Sequence, residues 1–278
     1  MARARAFTLV ELLVVIAIIS LLMSILMPAL SLVKLQARLA ACKMNLHNWG
    51  LIWDVYCHDN DNRFPNSGNI GWRRGTWILA LRREWQTRSD ILRCPMAVSR
   101  LEGTNHGDST HSYVMGGGGL GDLREECSYG MNCWLYWARP GETMIQKRPT
   151  KWNWQTTEVG GGNNIPVFAD AMWRGGGPFD GTRDHPEDIP NRGNPPSEPD
   201  EWTGASAEMK HFCIDRHRNG RVNHLFLDWS VRTVGLKELW TLKWHKEFNT
   251  AGPWTRAGGA TRSTWQTHAP WMVNFKDY

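Results

Sequence analysis

The first third of the chain is organised by two successive apolar patterns. From Leu12 to Val33 the pattern is a continuous run, 22 residues without a charge between Glu11 and Lys34. A helix rises about 1.5 Å per residue, so this run spans about 33 Å, enough to cross a hydrocarbon core of about 30 Å. The run then thins to a stripe. Leu35, Leu39, Cys42, Leu46, Trp49, Trp53 and Tyr56 recur at spacings that alternate between four and three, and Lys34, Arg38, Lys43, Asn45 and Asn48 fall off it. That is the period of a helix with one buried face. Together the two patterns predict a single helix of about 50 residues, Phe7 to Cys57. Asp59-Asn60-Asp61-Asn62-Arg63-Phe64-Pro65 ends it. The alternating acids and amides suggest a calcium loop, but the sixth place is not glycine and no Glu stands at the twelfth, so an Asx-rich helix stop is expected.

After Pro65 the period shortens. Trp77-Ile78-Leu79-Ala80-Leu81 reads as a short helix, and Ile91-Leu92-Arg93-Cys94-Pro95 as a buried turn. Alternation and β-branched content predict strands over 128–132, 165–170, 222–228 and 230–234, with Asn219-Gly220 as a hairpin-type turn before the third. Gly116 to Gly119 and Gly160 to Gly162 mark loops, residues 174–204 read as a long surface excursion, and 236–245 as an amphipathic helix. The expected fold is α+β: a long N-terminal transmembrane and stalk helix packed on a small, mostly antiparallel β-sheet body with long loops.

Composition narrows the class without changing this picture. Seventeen Trp, eight Phe and five Tyr exclude wholesale disorder, and a mean hydropathy of −0.46 excludes a polytopic membrane protein. A net charge of +5, with no run of five basic residues, gives no reason to expect a nucleic-acid partner. Arg3 and Arg5 precede the apolar run, so the positive-inside bias holds the N-terminus in the cytoplasm and places residues beyond the run across the membrane. A conventional cleaved signal peptide has a shorter apolar region. Leu39-Ala40-Ala41-Cys42 has the form of a lipobox, but Lys34 and Arg38 separate it from the apolar run.

Ala6-Phe7-Thr8-Leu9-Val10-Glu11-Leu12-Leu13-Val14-Val15 strongly resembles the signal of type IV prepilins and type II secretion pseudopilins. The resemblance implies that a prepilin peptidase removes residues 1–6, cutting between Ala6 and Phe7, and that Phe7 is then N-methylated. The family usually has Gly where this chain has Ala6. It also implies a pilin-like fold divided into a leader (1–6), a transmembrane assembly helix (7–33), an amphipathic stalk helix (34–57) and an extracytoplasmic body (58–278). Glu11, fifth in the mature chain, would pair with the α-amino group of a neighbouring subunit, and Pro28 would bend or loosen the helix. Farther along, Asp215-Arg216-His217 followed by Leu225-Phe226-Leu227-Asp228-Trp229 is similar to the C-terminal Arg-His…Asp-Gly motif of a large bacterial prepilin-like family, with ten intervening residues instead of nine and Trp229 in place of Gly.

Candidate chemistry is sparse. Six Cys stand at 42, 57, 94, 127, 133 and 213, without a Cys-x-x-Cys pair or a His-Glu-x-x-His, so no metal site and no cofactor are expected. Disulfides are expected instead. Cys42 and Cys57 on one helix stand about 22 Å apart and cannot bond. Twelve of the fifteen full pairings stay open, with Cys94 to Cys127 or Cys133 favoured. His217 with Asp228 and Asp215 could suggest a hydrolytic dyad, but no nucleophile motif accompanies them, and a structural hydrogen-bonding role is expected. No catalytic residue is assigned and no enzymatic activity is expected. The leading function is a pseudopilin-like structural subunit in the bacterial inner membrane, single-pass with a periplasmic body. Its partners would be prepilin peptidase, other pilin-like subunits and inner-membrane lipid. The alternative is a membrane-anchored envelope protein whose Trp-rich body binds carbohydrate or a partner through exposed indoles.

Overall fold

The apolar run and the stripe form one helix, as their common period requires. In the computed structural model, which describes residues 9–66, 77–116, 123–146, 148–181, 192–204 and 208–278, α1 spans Leu9–Asp59 without a break at Pro28. Asp61 and Asn62 end it with φ of 55° and 56°, a left-handed conformation that Asn and Asp tolerate because their short polar side chains bond locally. Asn62 N–H donates to Cys57 O at 2.8 Å. This is the Asx stop that the sequence predicts.

The chain divides into two compact units, Met1–Ala40 and Ala41–Tyr278. In the first, α1 exposes its apolar side chains from Leu9 to Val33, and it is long and apolar enough to cross a membrane. In the second, the stripe is buried where it was expected: Cys42, Leu46, Trp49 and Trp53 are fully enclosed, with Gly50 and Cys57 beside them.

The second unit is α+β. Its strands are β1 (Ser99–Arg100), β2 (His111–Gly116), β3 (Arg124–Cys127), β4 (Tyr129–Asn132), β5 (Met144–Ile145), β6 (Arg148–Pro149), β7 (Pro166–Asp170), β8 (Gly175–Gly176), β9 (Arg221–Phe226) and β10 (Val231–Gly235). The main sheet has the order β10-β9-β7-β4-β8, antiparallel except for β4 with β8. The helix lies against it. Trp49 meets the Phe168 ring at 5.1 Å and Trp77 edge-on at 5.3 Å, and its indole N–H donates to Ile91 O at 2.9 Å. A Cβ on Gly50 would stand 3.0 Å from Leu225 Cδ1, so glycine sets how closely the helix approaches β9. Residues two apart on a strand share a face; Phe168 and Asp170 therefore both look toward α1.

Three departures from the sequence reading are seen, and one turn is kept against its residue type. β2 and β3 were not anticipated, because Glu125 and Glu126 on β3 hide the alternation. The helix expected at 236–245 is a single 3-10 turn, Lys237–Thr241, after which Leu242 is extended. Its continuation is diverted: the Lys243 N–H, which a helix would give to Leu239 O, donates to Asn164 O at 2.9 Å, and Leu239 O accepts from the Trp244 indole N–H at 2.8 Å. The 174–204 segment is no surface excursion over its described part. Gly175–Gly176 joins the main sheet, Phe179 enters the core, and the Trp240 indole donates to Gly193 O at 2.6 Å. Its glycines permit this: a Cβ on Gly176 would stand 2.5 Å from Glu208 O. Finally, Trp229 holds φ at 63°, so the left-handed turn is kept despite the missing glycine.

His224 on β9 is fully buried among Phe212, Phe226 and Trp244, and neither ring nitrogen has a hydrogen-bond partner among the described residues. Burial pushes its pKa down to about 3; Asp170 opposes this and Arg232 adds to it. The folded state therefore refuses a proton that the unfolded chain accepts near 6.5, so stability is complete above that value and falls as pH drops toward 3. The expected loss from this residue between pH 7 and pH 5 is about 2 kcal/mol. Chemical denaturation at both values should show that His224→Phe loses about that much less than the parent.

Candidate functional site

Two places carry the side chains singled out by the sequence. The first is the head of α1. Ala6 and Phe7, the cleavage and methylation pair, lie outside the described residues. Glu11 sits exposed in the first turn of α1, where the helix dipole favours a negative charge. Pro28 lies inside the helix, and the Ser31 hydroxyl donates to its carbonyl at 2.7 Å. From Leu12 to Val33 the helix presents apolar and small side chains on every side, with no charge after Glu11.

The second place was not anticipated. Four buried side chains from distant parts of the chain converge within the second unit: Cys42 of α1, Cys94 from the turn after the 3-10 helix Ser89–Leu92, Asp170 at the end of β7, and His217 ahead of β9. Their ligand atoms lie within 4.8 Å of one another. Cys42 Sγ stands 3.6 and 3.5 Å from the two Asp170 oxygens, Cys94 Sγ is 3.7 Å from His217 Nε2, and His217 Nε2 is 2.9 Å from Asp170 Oδ2. Asn223 N–H donates to Asp170 Oδ2 at 3.0 Å, and Arg216 reaches Asp170 Oδ1 at 3.9 Å. Arg216 is itself buried and donates to the Ser128, Asp108 and Ala171 carbonyls at 3.0, 2.7 and 3.2 Å.

Electrostatics separates the four groups. Burial raises the cost of a charge on Asp170, yet His217, Arg216 and the Asn223 N–H outweigh it and hold the carboxyl below the usual range. Burial likewise disfavours imidazolium at His217, but Asp170 and Cys94 overcome it and lift the pKa to about 9. Burial also opposes a thiolate at Cys94, but bonds from Cys42 and His217 together with Arg216 bring that thiol down to about 7. Cys42 moves the other way, pushed well up chiefly by burial. Two sulfurs, an imidazole and a carboxylate form a donor set suited to a transition metal. They also constitute a buried ion network that the fold must keep satisfied.

The structure separates His217 from Asp228. β9 runs between them, about 20 Å for six extended residues, and exposed Asp228 instead accepts from Ser230 N–H and Oγ at the next turn. The hydrogen-bonding role expected for His217 is directed to Asp170. The expected disulfides are also absent: none of the six cysteines is in one, and all are buried. Cys94 faces Cys42 and His217. Cys127 stands across from Tyr113 in the β2–β3 pair, and Cys133 Sγ donates to Met131 O at 3.7 Å. No sequence motif brings these four residue types together. Each member carries a separate signal in the sequence. Cys42 stands on the buried stripe, Cys94 precedes Pro95 in a buried turn, and Asp170 falls in phase with Phe168 on an apolar strand. Only their meeting is invisible there.

Removing Asp170 strands buried Arg216 and His217 without their counter-charge, and breaking such a pair costs about 3–5 kcal/mol. Urea unfolding of the full-length protein in detergent should show that loss for Asp170→Ala and no more than about 1 kcal/mol for exposed Asp228→Ala.

Residues 1–27 match the family model described as the prokaryotic N-terminal methylation motif. No curated protein and no solved structure matches the chain. The motif ends within the apolar run that α1 continues to Asp59, so the likeness to prepilins rests on the head of the chain, a methylation motif followed by a long apolar helix.

Proposed function

We propose that the chain is a pseudopilin-like structural subunit of a type II secretion- or type IV pilus-like filament, cut between Ala6 and Phe7 by a prepilin peptidase and methylated on Phe7. The observation that carries this reading is the head of α1: an apolar surface on all sides from Leu12 to Val33, preceded by one carboxylate, Glu11. A lone helix with such a surface is satisfied only in lipid or among other apolar helices. The same helix can therefore wait in the inner membrane as a single-pass anchor, N-terminus in the cytoplasm and body in the periplasm, and then pack against other pilin-like subunits. A carboxylate in a bilayer costs about 2.5–3.5 kcal/mol, so Glu11 gains from meeting the α-amino group of a neighbour's Phe7. That pairing gives each subunit its axial register, and the role is mechanical.

The rival reading requires a row of exposed indoles. Every tryptophan among the described residues is buried or half-buried. Trp134, Trp240, Trp244 and Trp265 are fully enclosed, and Trp254 is nearly so. The aromatic excess is spent on the core, and no observation favours a carbohydrate platform.

Co-expression with a prepilin peptidase should yield a membrane-extracted protein lacking residues 1–6 and carrying one added methyl on Phe7, as read by intact and N-terminal peptide mass. An uncut Met1 in the presence of active peptidase would sink the proposal. Glu11→Leu should leave processing and the folded body intact. It should remove assembled material from the sheared or cross-linked fraction, since a desolvated ion pair left with one member costs about 3–5 kcal/mol.

A further inference from the structure

Among the described residues, metal-ligating side chains converge away from water at Cys42, Cys94, Asp170 and His217. We propose that this cluster is a structural site for a thiophilic divalent metal, with zinc the best fit, ligated by Cys42 Sγ, Cys94 Sγ, His217 Nε2 and one Asp170 carboxylate oxygen. The inference concerns the body alone and stands whether or not the chain forms filaments.

The first support is dimensional. With zinc–sulfur bonds of about 2.3 Å and zinc–nitrogen or zinc–oxygen bonds of about 2.0–2.1 Å, tetrahedral ligands lie about 3.5 Å apart on a sulfur-to-nitrogen or sulfur-to-oxygen edge and about 3.3 Å apart on a nitrogen-to-oxygen edge. The cluster already has such edges: 3.5 Å from Cys42 Sγ to Asp170 Oδ2, 3.7 Å from Cys94 Sγ to His217 Nε2, and 2.9 Å from His217 Nε2 to Asp170 Oδ2. Of these three only the last must open, by a few tenths of an ångström, while the remaining edges lie within 4.8 Å and close onto the ion. Zinc takes sulfur and nitrogen donors readily, whereas magnesium and calcium want oxygen.

The second support is charge. Two thiolates and a carboxylate bring three negative charges into a site sealed from solvent. A divalent ion balances two, and Arg216, 3.9 Å from Asp170 Oδ1, balances the third. Neutrality matters here because a net buried charge is expensive.

The third support lies in the surrounding donors. The Tyr129 hydroxyl donates to Cys42 Sγ at 3.4 Å and Met96 N–H to Cys94 Sγ at 3.4 Å, so each sulfur is held as an acceptor by a group outside the cluster. Asn223 Nδ2 and Asp170 Oδ2 both stand 2.9 Å from His217 Nε2, and Thr233 Oγ1 bonds Asn223 Oδ1 at 2.8 Å, so the imidazole is held with Nε2 directed into the cluster. In the metal-free protein the proton on that nitrogen is donated to Asp170, and a metal ion takes the proton's place. A Cys42–Cys94 disulfide would use only two of the four groups.

Four protein ligands close the coordination shell, the form of a structural site rather than a catalytic one. Binding displaces the protons held by the two thiols and by His217 Nε2, and clamps α1, the Cys94 turn, β7 and the His217 turn to one point. Removal of the metal should therefore lower thermal stability.

Full-length protein purified in detergent, without chelator, should contain one zinc per chain by mass spectrometry of the metal. A strong chelator should remove it and lower the melting temperature. Alkylation after denaturation should tag all six cysteines. Cys94→Ser should lose the metal and Cys213→Ser, a buried cysteine outside the cluster, should retain it. Co(II) exchanged into the unmutated protein reads the site even if a variant fails to fold. It should give tetrahedral visible bands and a sulfur-to-cobalt charge-transfer band of two-thiolate intensity. A Cys42–Cys94 cross-linked peptide two hydrogens short would overturn the proposal. So would a metal-free protein indifferent to chelator, metal lost equally from both variants, or a Co(II) spectrum without thiolate ligation.

Discussion

A carboxylate taken wholly out of water has to be answered by charge and hydrogen bonds, and Asp170 is such a carboxylate. It closes a strand that is otherwise Pro, Val, Phe and Ala, all buried. Its partners arrive from everywhere else in the body: His217 and Arg216 from the turn before β9, the Asn223 N–H from β9 itself, and Cys42 from α1. Each partner is then fixed by further contacts, so that Arg216 ties Asp108, Ser128 and Ala171 through their carbonyls. The body's register is thereby specified by one polar cluster at the end of a sheet whose other contacts are apolar and less selective.

Around that cluster the aromatic residues do the filling. Trp77 packs edge to face on Trp49 and on Phe168, with Trp49 tilted against Phe168, where α1 crosses the sheet, and Trp134, Trp152, Phe179 and His245 form a second group. Such rings bury a large area for few rotatable bonds. Their indole N–H groups are largely satisfied by loop carbonyls: Trp49 to Ile91, Trp134 to Pro178, Trp240 to Gly193. This explains how a body with short strands and many turns keeps its loops in place, and why so many tryptophans need not imply a ligand.

One helix carries two surface patterns. Over Leu12 to Val33 it is apolar all round, as a segment meant for lipid or for like helices must be. From Leu35 on it is apolar on one stripe, as a segment meant for one protein face must be. The change of pattern falls at Lys34, a few residues before the boundary between the two compact units. The methylation motif, residues 1–27, lies wholly within the first compact unit.

What the residues alone determined is local. A 3.6-residue period fixes a helix and its buried stripe, alternation fixes β4, β7, β9 and β10, and the Asx run fixes where α1 stops, because each depends on neighbours within a few positions. The head of α1 is legible for the same reason: its functional pattern is contiguous. Where long-range packing competed, local reading failed. The Lys243 N–H is taken by Asn164 O and the Leu239 carbonyl by the Trp244 indole, so 236–245 is not a helix. Glycine at 175 and 176 admits close backbone approach, so a polar-looking segment enters the sheet. Only the tertiary structure could decide the buried cluster. Cys42 and Asp170 are separated by 128 positions and Cys94 and His217 by 123, and no periodicity reports which distant strand end a helix will cross. Their convergence is a property of the packed sheet and helix, set by the requirement that Asp170, once buried, be met.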